Sequence, residues 1–123
     1  MANMSSRPPG RRQFARFPVS YAALLRDERF PDRKVSGMVR DIGDGGLMVE
    51  LPVQLPSGGD MGLLLQTQRG PLPVEGQVVW AAATKDMIRY GIAFPEPKDM
   101  GFALDLFLTE GGKGRPFPPP NPL

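Results

Sequence analysis

The sequence of 123 residues contains no cysteine and no histidine. The absence of cysteine excludes disulfides, thiol nucleophiles and cysteine-based zinc sites, and the absence of histidine removes the commonest general base and metal ligand. Carboxylate pairs such as Asp27/Glu28 and Asp41/Asp44 therefore lack the nucleophile or metal-ligand cluster that they would need for catalysis. The sequence predicts a protein that is not an enzyme, with no catalytic residues, no metal site and no cofactor.

The sequence also lacks a long apolar run. No stretch approaches the roughly 18 apolar residues that a membrane-spanning helix needs, and no apolar signal-peptide segment follows the basic residues near the N-terminus. We therefore expect a cytoplasmic protein without membrane insertion. A chain of this length can bury the core of one domain without metal or disulfide support.

Positive charge is concentrated at the N-terminal end of the chain. Residues 1–40 contain nine Lys and Arg against three Asp and Glu, whereas residues 41–123 contain six against ten. This asymmetry indicates that the basic segment meets an anion, whether a phosphate, a nucleic acid, a lipid headgroup or the acidic part of its own fold.

Glycine and proline are abundant, with 15 of each, and they predict many turns. Residues 1–10 are polar and rich in both, which predicts a flexible arm. Residues 109–123 contain five prolines in the last eight positions and predict a disordered, extended tail. Such a tail could alternatively be a ligand for an aromatic-lined groove. Residues 11–108 are left as one folded domain.

Short strand-like segments recur about every ten residues between turn signals. They are Phe17–Leu25, Val35–Ile42, Leu47–Leu51, Met61–Thr67, Val74–Ala82 and Ile88–Phe94. In the third segment Leu47, Val49 and Leu51 alternate with Met48 and Glu50, as in a strand with one buried face. Such spacing predicts an all-β domain, either a barrel or a sandwich.

The pattern changes near the C-terminal end. In residues 99–108, Phe102 and Leu106 lie four positions apart, as do Ala103 and Phe107, which predicts one short helix that packs on the strands. The aromatic residues Trp80, Tyr90 and Phe94 could stack on bases, but we predict that they pack in the core.

Three arginines, Arg11, Arg12 and Arg16, lie within six residues immediately before the first predicted strand. A guanidinium group can form two parallel hydrogen bonds to a phosphate or to guanine O6 and N7, and its flat face can stack on a base. The plain alternative is a solvated basic leader.

A glycine-rich turn joins the second and third predicted strands, with the sequence Asp41-Ile-Gly43-Asp44-Gly-Gly46. Glycines permit positive φ angles and let a ligand approach the backbone closely. The Asp41 carboxylate can accept hydrogen bonds from guanine N1–H and N2–H. Taken alone, this segment could also be an ordinary hairpin.

Together the two segments resemble the PilZ domain family, whose site combines an Arg-x-x-x-Arg leader with an Asp/Asn-x-Ser-x-x-Gly turn. Here the leader is Arg12 to Arg16 and the turn is Asp41 to Gly46, and the later Val78-Val79-Trp80 and Arg89 to Phe94 segments also look like the family's strands. The resemblance implies a six-stranded antiparallel β-barrel with one short C-terminal helix. It also implies binding of cyclic di-GMP, a second messenger with two guanines and two phosphates.

The resemblance places six residues in the ligand site: Arg11, Arg12, Arg16, Asp41, Gly43 and Gly46. It implies that Arg12 and Arg16 hold guanine edges and phosphates, and that Asp41 holds a Watson–Crick edge. Gly46 would allow the turn to close, and Arg11 matches a family variant associated with a stacked ligand pair. Gly43 stands where the family has serine, so one hydroxyl is missing.

Two functions remain open at this point. One is a stand-alone sensor of cyclic di-GMP that signals through an unidentified protein partner in the control of motility, pili or exopolysaccharide, as the resemblance implies. The other is a PilZ-like protein-interaction adaptor that has lost nucleotide binding, which the glycine at position 43 favours. Nucleic acid is a third and less favoured partner, because residues 41–123 carry more acidic than basic side chains.

Overall fold

The computed structural model describes residues 15–26, 35–55, 59–98 and 101–109. These residues form six strands and one helix. The elements are β1 (Arg16–Arg26), β2 (Ser36–Gly43), β3 (Gly46–Leu51), β4 (Asp60–Thr67), β5 (Gly70–Ala83), β6 (Ile88–Ala93) and α1 (Phe102–Thr109). All six predicted strands and the predicted helix are present. The predicted arm and the predicted tail beyond Thr109 lie outside the described residues.

The strands close into an antiparallel barrel in the order β1-β2-β3-β6-β5-β4. Alternate side chains point into the barrel because successive residues of a strand face opposite sides. In β3, Leu47, Val49 and Leu51 are buried while Met48 and Glu50 are only partly so, which confirms the predicted alternation. The largest fully buried side chains are Tyr90, Ile42, Leu47, Leu51, Leu63, Leu65, Val39 and Val49. The predicted fold, a six-stranded barrel with one helix, is confirmed.

Strand β5 begins at Gly70, four residues before its predicted start at Val74. Pro71 and Pro73 argue against a strand because a proline cannot donate to a sheet ladder. Both residues nevertheless pair with β4, while pairing with β6 begins only at Gln77. The other edge of this stretch is therefore not paired with any described strand, and proline is tolerated in such an edge position.

Helix α1 packs on the first strand of the barrel. The ring of Phe107 lies against Phe17 with a centroid distance of 5.3 Å. The Tyr21 hydroxyl donates a hydrogen bond to the Leu106 carbonyl oxygen at 2.5 Å. Ala103, Leu106 and Phe107 are buried and Phe102 is partly buried, which agrees with the four-residue spacing.

The helix begins at Phe102, later than the predicted start at residue 99. Gly101 precedes it with a φ of +89°, a left-handed conformation that glycine adopts readily. The first helical hydrogen bond runs from the Asp105 N–H to the Gly101 carbonyl oxygen at 2.8 Å. Within the described residues, no helix is long and apolar enough to cross a membrane.

Candidate ligand-binding site

Arg16 and Asp41, which come from the two separate motifs, form an ion pair. Arg16 opens β1, and antiparallel pairing places it opposite Gly43 on β2, two residues from Asp41. Arg16 Nη2 donates a hydrogen bond to Asp41 Oδ1. Only 17% of the Arg16 side chain and 16% of the Asp41 side chain are exposed. The pair is therefore screened less by solvent and salt than a surface pair would be.

The Arg16 guanidinium keeps one donor unused. Its Nε is buried and has no hydrogen-bond partner within the described part of the chain. An unsatisfied buried donor costs on the order of 1–3 kcal/mol. The group is thus chemically suited to an additional acceptor, such as a phosphate oxygen or a guanine carbonyl.

Gly43 lies beneath the Arg16 side chain and is buried. A Cβ at this position would lie 3.0 Å from the Ala15 carbonyl oxygen and 3.0 Å from Arg16 Cδ. These distances are too short for an unadjusted contact, so a serine here would have to displace its neighbours. The glycine therefore does more than omit a hydroxyl, because it leaves room for the Arg16 side chain against β2.

Gly46 is required by a close approach of β6. A Cβ on this residue would lie 2.1 Å from the Ile92 carbonyl oxygen. The turn does not use the positive φ that its glycines suggested, since among the described residues only Gly70 and Gly101 have positive φ. The prediction of positive φ for these glycines is thus wrong, and strand packing is the physical reason for Gly46.

Asp41 and Asp44 do not form a carboxylate dyad. Asp41 pairs with Arg16, whereas Asp44 Oδ1 accepts a hydrogen bond from the Ala103 N–H at 2.9 Å. The two carboxylates therefore serve different partners. The other pair singled out in the sequence, Asp27/Glu28, lies outside the described residues, as do Arg11 and Arg12.

A row of paired residues crosses the outside of the barrel from Asp41 to Trp80. Asp41 pairs with Met48, Met48 with Gly91, and Gly91 with Trp80. The indole lies directly on Gly91, because a Cβ there would be 2.0 Å from Trp80 Nε1. We call this row, from Asp41 through Met48 to Trp80, the outer row.

The prediction that the aromatic residues pack in the core is correct for Tyr90 and Phe94, which are buried. It is wrong for Trp80, which is 48% exposed. The register between β5 and β6 shifts between Val78 and Trp80. A bulge of this kind interrupts the alternation and turns Trp80 outward.

Three charged residues form an ion cluster farther along the same face of the barrel. Arg40 Nε donates to Glu50 Oε1 at 2.9 Å, and Arg89 Nε donates to Glu50 Oε2 at 2.8 Å. The hydrogen bond from Arg40, followed by that from Arg89, holds the pKa of Glu50 below its ordinary value of 4.5. This cluster was not predicted from the sequence. The feature that could have indicated it is the outward position of Glu50 in the alternation of β3.

Replacing Glu50 with glutamine is expected to reduce the acid sensitivity of the fold. Because the folded pKa of Glu50 is lowered, the cluster stabilises the protein fully above about pH 4.5, and this contribution is lost as the pH falls through the folded value. At pH 7, Glu50→Gln should lower the free energy of unfolding by about 1 kcal/mol or less, as measured by urea unfolding. At pH 3 the difference in this free energy between variant and wild type should be smaller. Equal acid sensitivity of variant and wild type would contradict this prediction, and Glu75→Gln, on the exposed surface of β5, is the control.

Comparison with known proteins identifies the family and the fold. Residues 10–106 match the PilZ domain family. The PilZ domain of YcgR from Escherichia coli, solved with c-di-GMP, has a TM-score of 0.60 at 15% identity, over 83% of this chain and 90% of that chain. The Bacillus subtilis inhibitor of motility, MotI/DgrA, has a TM-score of 0.59 at 16% identity, over 88% of this chain and 58% of that chain.

No curated protein sequence matches this chain. At 15% and 16% identity, the two structural neighbours show the fold alone. The family match covers most of the chain and includes both motifs, the whole barrel and most of α1. The chain therefore belongs to the PilZ domain family.

Proposed function

We propose that this protein binds cyclic di-GMP at the site formed by Arg16, Asp41 and the glycine turn, and that it signals through a protein partner without catalysis. One observation carries the proposal: the arginine of the leader and the aspartate of the turn, 25 residues apart in the chain, meet in a partly buried pair. Arg11 and Arg12 would add further guanidinium groups to the same ligand.

The chemistry of guanine suits this pair. Its O6 and N7 accept hydrogen bonds from a guanidinium, and its N1–H and N2–H groups can donate to a carboxylate. One guanine can therefore satisfy Arg16 and Asp41 together, in exchange for the contact they now make with each other. Arg16 Nε, which is buried and has no partner among the described residues, would become one more donor for the ligand once that contact opens.

The outer row provides an apolar surface next to the polar pair. Met48 is partly buried and Trp80 is half exposed, so an indole face is available beside the site. Stacking of a base on an aromatic side chain is worth about 1–3 kcal/mol. We propose that Trp80 stacks on a base of the ligand, while Arg40 and Arg89 attract its phosphates.

The direct test is calorimetric titration of the full chain with cyclic di-GMP, with cyclic di-AMP as the control ligand. Trp80 is the only tryptophan, so its fluorescence reports on the outer row without a label. We expect heat and a change of fluorescence with the guanine ligand only. Absence of both at tens of micromolar protein would reject the proposal.

The second candidate function is an adaptor that no longer binds the nucleotide. Two observations favour it: Gly43 offers no hydroxyl, and Arg16 and Asp41 already satisfy each other. A silent titration together with retained partner binding is the result that this alternative predicts.

Substitutions at position 43 separate the missing hydroxyl from the steric effect of a side chain. Both Gly43→Ala and Gly43→Ser would press on Arg16 Cδ and on the Ala15 carbonyl. Only serine adds a hydrogen bond to a charged ligand, so we expect it to bind cyclic di-GMP about tenfold more tightly than alanine does. Equal affinity of the two variants in the same titration would show that a hydroxyl contributes nothing here.

We further propose that the protein works in the cytoplasm, in the control of motility, pili or exopolysaccharide. The family resemblance supports this, as does the likeness in fold to a protein described as an inhibitor of motility. Nucleic acid is a less favoured ligand because most basic residues lie in the N-terminal third of the chain. A steep loss of binding with salt and no base preference would point to it instead.

A further inference from the structure

Asp44 joins the glycine turn of the site to the C-terminal segment of the chain. Its side-chain Oδ1 accepts the Ala103 N–H at 2.9 Å, and its carbonyl oxygen accepts the Lys98 N–H at 2.7 Å. The next carbonyl oxygen, that of Gly45, accepts the Phe94 N–H at 3.0 Å. Two turn residues thus hold both the connection into α1 and the first turn of the helix.

The hydrogen bond to Ala103 replaces a cap that the local sequence does not provide. The first amides of a helix lack partners inside the helix, and a side chain just before the helix usually accepts from one of them. Here Gly101 occupies that place and has no side chain. A carboxylate 59 residues away in the chain takes over the role, and its negative charge also suits the positive end of the helix dipole.

The helix is attached to strand β1 as well as to the turn. Phe107 packs on Phe17, the residue that follows Arg16 in β1. The Leu106 carbonyl accepts the hydroxyl proton of Tyr21 on the same strand. Helix α1 also lies near β2, so it is close to both strands whose residues form the Arg16–Asp41 pair, and Asp44 is its polar contact to the turn.

We infer that Asp44 is a positioning residue that couples the ligand site to helix α1, so that occupation of the site and docking of the helix stabilise each other. The ligand part of this inference rests on the proposed function. The physical reason is that Gly43, the last residue of β2, is followed directly by Asp44, the first residue of the two-residue turn between the paired strands β2 and β3, so movement at one is transmitted to the other. Such a coupling acts equally in both directions.

The test compares Asp44→Ala and Asp44→Ser with the conservative variant Asp44→Asn, by hydrogen exchange in the full chain. Asparagine keeps the Oδ1 acceptor, whereas alanine removes it and serine is too short to place an oxygen at the same position. Without ligand, we expect exchange of the Ala103 amide to be about fivefold to tenfold faster in the alanine and serine variants, and near wild type in the asparagine variant. Asp86→Ala, in an exposed turn, is the matched control and should change nothing.

With saturating cyclic di-GMP, the wild-type and asparagine proteins should show slower exchange across residues 102–109, and the alanine and serine variants should not. Unchanged Ala103 exchange in the ligand-free alanine and serine variants would overturn the inference. Equal protection of the helix by ligand in all variants would overturn it as well. A wild type that gives no heat in the titration would reject the proposed function, while the ligand-free comparison would still decide whether Asp44 anchors the helix.

Discussion

Gly46→Ala is expected to destabilise the fold by about 3 kcal/mol or more. The added Cβ would lie 2.1 Å from the Ile92 carbonyl oxygen, which is backbone and cannot rotate away. Relief requires β3 and β6 to separate at the Gly46–Ala93 end of their ladder, beside the ligand site. Urea unfolding monitored by Trp80 fluorescence should show a midpoint lowered by about 1 M or more.

Gly62→Ala is the control for this substitution. Gly62 also lies in a barrel strand, but its nearest neighbour to an added Cβ is the Arg26 carbonyl oxygen at 3.3 Å, which needs a shift of only a few tenths of an ångström. We expect a loss of about 1 kcal/mol or less. A tolerated alanine at position 46 would show that β6 does not approach β3 as closely as described.

Arg16→Ala is expected to weaken cyclic di-GMP binding by about a hundredfold or more. The substitution removes a guanidinium that can make two hydrogen bonds to a charged or polar ligand group, each worth about 1.5–3 kcal/mol. It also leaves the Asp41 carboxylate partly buried without its cation, so a moderate loss of stability should accompany the loss of affinity. Calorimetry gives the affinity, and urea unfolding gives the stability.

Arg26→Ala is the matched control, because Arg26 ends the same strand, is exposed and lies away from the turn. The affinity of the Arg26→Ala variant for cyclic di-GMP should stay within about twofold of wild type, since a distant surface charge is screened by salt. If both variants bind equally well, Arg16 does not contact the ligand. If Arg16→Ala loses stability but keeps its affinity, the pair with Asp41 has only a structural role.

Hydrophobic alternation predicted the strands well because most of them bury only one face. In β3 the buried Leu47, Val49 and Leu51 follow the two-residue period without interruption. The period fails where the backbone departs from ideal pairing, as it does at the bulge before Trp80. A bulge depends on the partner strand, and a pattern in one segment does not contain that information.

The site was predictable in its components but not in its contacts. The motifs identified Arg16 and Asp41, and the barrel brings them together. The sequence did not reveal that Gly43 makes room for the Arg16 side chain, or that Asp44 reaches Ala103. These contacts join residues far apart in the chain, so they follow from the barrel topology rather than from any local spacing.

The prolines in β5 have a consequence for how molecules of this protein meet one another. An unpaired strand edge can template the edge of another molecule, which is a common route to aggregation. Over residues 70–76 the edge facing away from β4 pairs with no described strand, and Pro71 and Pro73 offer no N–H group to an incoming chain. Two residues that argue against a strand in the sequence thus make this edge a poorer template for a second molecule.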